Sequence, residues 1–191
     1  MKRLENEMIL YHGSYCAVEK PDLSKCSQFK DFGRGFYLTS SKEQAKSFAK
    51  ISTVKAQERG IISVNQKFGY ISYYRLEIAS EFNSFYFDNA DSDWLHCVVT
   101  HRKINSFPEL NERMKNYDVI AGKIANDDTN TTIVAYMSNL YGTMGSKKAD
   151  DFCISLLLPE RLKDQYCFRN QAAIEKLVFL KSERVALESN R

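Results

Sequence analysis

Apolar and polar positions alternate along this chain in short runs, and the changes of period mark out a series of strands and helices. Met8-Ile9-Leu10-Tyr11-His12 is an apolar run stopped by Gly13, which predicts a buried strand. Pro21-Asp22-Leu23-Ser24 predicts a turn, followed by a polar loop as far as Phe32. Gly33-Arg34-Gly35 then leads into Phe36-Tyr37-Leu38-Thr39, whose aromatic and β-branched content favours a second strand. Ser40 with Glu43 three residues on has the form of a capping box, and Ala45, Phe48, Ala49 and Ile51 recur at helical spacing.

Further along, Ile71 to Ile78 alternates as a strand and Phe85-Tyr86-Phe87 continues in extended style. Asp91-Ser92-Asp93 predicts the cap of a helix that carries Trp94, Leu95, Val98 and Val99 toward the core and ends near Arg102. Tyr117 to Gly122 is another apolar strand with a glycine stop. Asn126-Asp127-Asp128-Thr129 opens a helix through Ile133, Tyr136 and Leu140, and a further helix spans Lys148 to Leu157. Gln165 to Phe168 is a strand, Gln171 to Leu177 a helix or helical turn, and Val178-Phe179-Leu180 closes the core. Short strands and helices without regular alternation predict an α+β fold, formed by a single domain over residues 1–191.

Composition narrows the setting more than the chemistry. At 191 residues the chain can bury a full core, and no apolar run approaches the ~18 residues of a membrane span. The opening Met1-Lys2-Arg3-Leu4-Glu5-Asn6-Glu7 lacks a secretory apolar region, so a cytoplasmic protein is expected. The five cysteines are scattered and never spaced C-x-x-C, which reads as reduced thiols with neither a disulfide framework nor a zinc site. A net charge of +3, spread over mixed clusters, reads as a solvated surface and does not single out a polyanionic partner.

The candidate chemistry centres on two segments. His12 ends an apolar strand, where its imidazole either donates a hydrogen bond to a ligand hydroxyl or is simply satisfied beside a turn. Gly13 leaves room for a ligand to approach the backbone. Gly33-x-Gly35 lacks the third glycine and the Lys-Ser/Thr ending of a phosphate loop, so it reads as the delivery of Tyr37 to a site. Tyr37 offers a flat face for stacking and a hydroxyl, or else alternates between core and surface as strand residues must. His96 and His101 lie five apart on a helix and do not share a face, which argues against a metal. No serine has a nucleophile-elbow context.

Tyr11-His12-Gly13-Ser14, then Phe32-Gly33-Arg34-Gly35-Phe36-Tyr37-Leu38-Thr39 and a helix carrying Phe48, resembles the poly(ADP-ribose) polymerase and diphtheria-toxin branch of the ADP-ribosyltransferases. Asp31 to Thr39, Ala125 to Thr129 and the Gln-x-x-Phe segment at Gln165 also resemble a family of small bacterial proteins with an ADP-ribosyltransferase-like fold. The resemblance covers most of the chain. It implies split antiparallel sheets with flanking helices, and a mono-ADP-ribosyltransferase that cleaves NAD, releases nicotinamide and passes ADP-ribose to a protein or nucleic acid. A catalytically retired module that only binds NAD or ADP-ribose is the alternative.

Carried over by position, the resemblance implies catalytic roles for His12, Tyr37 and Gln165. NAD would be held by His12, Gly13, Ser14, Gly35, Tyr37, Thr39 and Phe48, with His12 on the adenosine ribose, Gly13 at the carboxamide, and Tyr37 and Phe48 on the nicotinamide ring. Gln165 stands where such enzymes place a glutamate; Asp127 or Asp128 could supply the missing charge, and otherwise they read as helix caps. NAD enters as a substrate and no metal is expected. Small enzymes of this kind often act as toxins, which implies a neutralising partner protein by analogy alone.

Overall fold

The computed structural model describes residues 1–77, 82–125, 127–158 and 162–187, with the side chains of residues 127 and 128 left undescribed. The strand expected to run to Ile78 and the helix expected to open at Asn126 therefore each have one end outside the described residues.

The described strands fall into two sheets. One is built from β1 (Ile9–Ser14), β3 (Phe68–Leu76) and β7 (Leu177–Ala186), in the order β1-β3-β7. The other runs β2-β6-β5-β4, from β2 (Phe36–Leu38), β6 (Asp164–Phe168), β5 (Val119–Lys123) and β4 (Ser84–Tyr86). All neighbours are antiparallel except β4 and β5, which pair in parallel, so the expectation of purely antiparallel sheets needs correction. The reason is the connection: α2 (Ser92–Arg102) and α3 (Pro108–Met114) form a helical crossover between them, as parallel neighbours require. The remaining helices are α1 (Lys42–Glu58), α4 (Asp127–Met137), α5 (Lys147–Leu157) and the short α6 (Gln171–Ile174).

Alternation along the strands sorts the apolar residues into layers. Leu10 on β1, Phe36 and Leu38 on β2, Tyr74 and Leu76 on β3, and Tyr166 and Phe168 on β6 fill the space between the sheets. Tyr11, Ile71 and Tyr73 point the other way, against Ala45 and Ala49 of α1. Ile120 and Cys167 point away from the central layer into a third cluster with Trp94, Cys97, Val98, Ile133 and Cys153 of α2, α4 and α5. Trp94 sits in the core as its spacing predicts, its indole N–H donating to the Lys123 carbonyl at 2.9 Å. The order of layers is thus α1, sheet, sheet, helices.

Several ends shift by a residue or two. Ser41, not Ser40, caps α1, its hydroxyl accepting from the Gln44 N–H. Gln44 does not fold back to complete a capping box; its amide donates to the Asp164 carbonyl at 3.1 Å and ties α1 to β6. α4 stops at Met137, leaving Leu140 in the following turn and 75% exposed. β7 runs well past Leu180, carrying Lys181, Glu183 and Arg184 on a sheet edge, the kind of charge that discourages edge-to-edge pairing.

Candidate functional site

Among the described residues, one backbone bridge links the two sheets. The backbones of Tyr11 on β1 and Thr39 just past β2 exchange hydrogen bonds of 2.8 and 3.0 Å, forming an isolated bridge. β2 in turn pairs with β6, with Tyr37 opposite Cys167 and Leu38 opposite Tyr166. This junction therefore brings together the three strands that carry His12, Tyr37 and Gln165, with the His12 ring on one face of β2 and the Tyr37 and Gln165 side chains on the other.

His12 lies on the side of β1 that faces β2. Its ring packs on Phe36 at 4.5 Å, and its Nδ1 lies 2.8 Å from the Tyr37 carbonyl. A carbonyl only accepts, so Nδ1 carries the proton and donates it. Burial pushes the imidazole pKa below its ordinary value, partly offset by this hydrogen bond. The ring is then neutral near pH 7, and Nε2 is a hydrogen-bond acceptor. That reverses the polarity expected from the sequence: a ligand hydroxyl would donate to His12, not accept from it.

Tyr37 points to the opposite side of β2, toward the helix-packed layer. Its hydroxyl accepts from the Phe32 N–H at 2.9 Å and donates to the Gly33 carbonyl at 2.8 Å, so it clamps the loop ahead of β2. Burial holds the phenol far above its ordinary pKa. Only the ring remains to meet a ligand. Phe48 stands on α1 at 37% exposure, and no ring contact joins it to Tyr37 among the described residues.

Gln165 is buried on the same face of its sheet as Tyr37. Its amide nitrogen donates to Asp31 Oδ2 at 2.8 Å and approaches the Lys123 carbonyl at 3.4 Å. Both partners are acceptors, which fixes the amide orientation on chemical grounds. The amide oxygen is then the atom Gln165 has for a ligand. Neighbouring Asp164 points away as alternation requires, and pairs with Lys123 across the strands at 2.9 Å.

The other carried-over positions have structural work. A Cβ on Gly13 would stand 2.0 Å from the Ala45 carbonyl oxygen, so this glycine admits the backbone of α1. A Cβ on Gly35 would meet Cys167 Sγ at 2.3 Å, and this glycine lets β2 close on β6. Thr39 is buried, its hydroxyl accepting from the Ser41 N–H at 3.1 Å, and Ser14 is buried at the end of β1. The side chains of Asp127 and Asp128 lie outside the described residues, so the charge expected of them has no structural account.

Sequence reasoning missed the residue at the centre. Asp31 is buried, receives Arg102 at 2.6 Å and the Ala125 N–H at 2.9 Å, and meets Gln165. Its place in the loop ahead of Phe32 carries no local signal of burial, since its partners come from remote segments; once buried, the carboxylate needs the donors that surround it. Gly33 follows at φ +77°, a conformation that favours glycine, and a Cβ there would also lie 2.6 Å from the His101 ring. His101 donates from Nδ1 to the Cys97 carbonyl at 2.7 Å, while its Nε2 is buried without a partner. Two surface cavities lie away from the sheet junction. One is lined by Leu140, Tyr141 and Phe152; the other, by Gln28, Phe29, His101 and Ile104, adjoins the Asp31 loop.

Burial lowers the pKa of both His12 and His101. The unfolded chain, with histidines near 6.5, therefore binds protons that the folded chain refuses. Stability from these groups is complete above about pH 6.5 and is lost as the pH falls toward their folded pKa values, by at most about 1.4 kcal/mol per pH unit for each. Urea midpoints should be level from pH 8 to 7 and decline below that, less steeply in His101→Gln. A level profile down to pH 5 would contradict the assignment.

Among the described residues, no group of three or more His, Cys, Asp or Glu is placed to hold a metal ion. No described helix is long and apolar enough to cross a membrane. Comparison with curated proteins yields no match. The sequence model of the family described as "Protein of unknown function (DUF3990)" matches residues 8–179, nearly the whole chain, and places β1, β2 and β6 within the match. The chain belongs to the DUF3990 family.

Proposed function

We propose that this protein is an NAD-dependent mono-ADP-ribosyltransferase of a His-Tyr-Gln type, with its site at the junction of β1, β2 and β6. The observation that supports the reading is the adjacency of the strands bearing His12, Tyr37 and Gln165: β1 meets β2 through Tyr11 and Thr39, and β2 pairs with β6. Two neutral acceptors, His12 Nε2 and the Gln165 amide oxygen, suit the hydroxyls of a sugar more than a phosphate, which calls for donors.

In the proposed reaction the bond between the nicotinamide nitrogen and ribose C1′ breaks, and both electrons leave with neutral nicotinamide. Positive charge spreads over C1′ and the ring oxygen, as in other glycosyl transfers. The lone pair of a nucleophile on a protein or nucleic-acid acceptor then forms the new bond to C1′ and releases its proton. Gln165 orients a ribose hydroxyl by accepting from it. A neutral amide supplies no charge to the transition state, and losing such a preorganised group costs about 10²–10³ in rate. The transfer is therefore slow, or serves an acceptor of high nucleophilicity.

The neutral Gln165 also favours a second reading, an NAD- or ADP-ribose-binding module without turnover. Both readings require binding. Saturating NAD at about 100 times Kd should stabilise the fold by about 2.7 kcal/mol, seen as a rise in thermal midpoint. His12→Ala should abolish the rise. An unchanged midpoint at millimolar NAD would defeat both readings.

A further inference from the structure

The loop ahead of β2 buries a carboxylate against the residue in the glutamate-like position. Asp31 Oδ1 receives Arg102 Nη2 at 2.6 Å, and Oδ2 receives both the Ala125 N–H at 2.9 Å and the Gln165 amide at 2.8 Å. The same Arg102 nitrogen donates to the Ala125 carbonyl at 2.8 Å, and its Nη1 reaches Asn130 Oδ1 at 3.1 Å. A buried carboxylate is costly unless such donors surround it, and this one has three. Arg102 balances its charge, so Asp31 lends little net negative field to a ligand.

What Asp31 does impose is direction. Asp31 Oδ2 and the Lys123 carbonyl can only accept, so the Gln165 nitrogen must face them and the amide oxygen must face away. An N–H bonded to an anion also polarises its amide and makes the oxygen a stronger acceptor. We propose that Asp31, seated by Arg102 and Ala125, is the positioning residue that fixes Gln165 with its oxygen presented to the substrate. This rests on the reading in which Gln165 serves the ribose of NAD.

The test uses two backgrounds. In the unaltered chain, Asp31→Asn removes the group that selects the amide orientation. The kcat of nicotinamide release should fall about tenfold or more, with KM for NAD within about twofold. In a Gln165→Glu background, Asp31 would oppose a second carboxyl at hydrogen-bond distance, and two such groups do not both ionise at neutral pH. There, Asp31→Asn should raise kcat. Opposite signs in the two backgrounds are the signature, because a merely structural loss lowers both. A fall in both would overturn the proposal.

A readout independent of turnover separates this idea from the NAD reading. By carbon-13 NMR titration, the carboxyl introduced by Gln165→Glu should have a raised pKa beside Asp31 and an ordinary one once Asp31→Asn is added. An ordinary value in both would sink the pairing. If the titration behaves as expected but no variant releases nicotinamide, the NAD reading fails and the positioning pair stands. Should Asp31→Asn not fold, the Gln165 side-chain amide of the unaltered chain decides. Slow hydrogen exchange supports the fixed orientation, and exchange as fast as a surface glutamine overturns it.

Discussion

Replacing Arg102 by methionine should destabilise the fold by about 3–5 kcal/mol, because it strips the counter-charge from a buried carboxylate and leaves Asp31 unpaired. Arg102 holds Asp31 and the Ala125 carbonyl with one nitrogen, so its loss also frees the segment after β5 and the amide of Gln165. A useful comparison is Lys123→Met. The Lys123–Asp164 pair, at 2.9 Å against 2.6 Å, is about a quarter exposed, and its removal should cost about 1 kcal/mol or less. Denaturant midpoints of the two variants measure the difference directly. Similar small losses in both would show that the Asp31 cluster is better hydrated than its burial indicates.

The second large effect concerns a glycine. Gly13→Ala would put a methyl carbon 2.0 Å from the Ala45 carbonyl oxygen and 2.7 Å from the Ala49 nitrogen. Neither is the end of a flexible side chain, so the helix must move. Displacing α1 breaks its packing on Ile71 and Tyr73 and pulls on Gln44, whose amide ties the helix to β6. Overpacking of this kind costs about 3 kcal/mol. It should also lower NAD affinity, because α1 follows directly on Thr39 at the sheet junction. Calorimetry and NAD titration of the variant check both parts. A change below about 0.5 kcal/mol, the scale of an ordinary surface substitution, would contradict the close approach.

Much of the fold is legible in the sequence because its signals are local. The apolar run Met8 to His12, the Asp91 cap before Trp94 and the strand residues Gln165 to Phe168 each announced an element that the structure contains, although Gly13 does not stop β1, which runs on to Ser14. α3 went unread, since Pro108–Met114 spans seven residues and its cap, Phe107, makes no side-chain hydrogen bond. The parallel pairing of β4 with β5 could not be read either, because strand order is set by contacts remote in sequence.

The same division holds for the candidate site. The strands bearing His12, Tyr37 and Gln165 were readable from their apolar and aromatic content, while the choice of Gln165 as a site residue came from the family resemblance. The tautomer of His12 was not, because it depends on a carbonyl 25 residues away. Nor was the role of Asp31, whose partners Arg102 and Gln165 lie 71 and 134 residues further along. The sequence pointed to Asp127 or Asp128 for a carboxylate near Gln165, whereas the one bonded to it is Asp31, from the loop ahead of β2.

The account turns on whether the junction of β1, β2 and β6 cleaves NAD. The direct measurement is nicotinamide release by the purified chain, with and without cell lysate, beside His12→Ala and Tyr37→Ala. The account predicts slow release that lysate accelerates and that both substitutions reduce at least tenfold, since each removes a group at the proposed site. Release that persists unchanged in both variants, or none at saturating NAD in either condition, would contradict it.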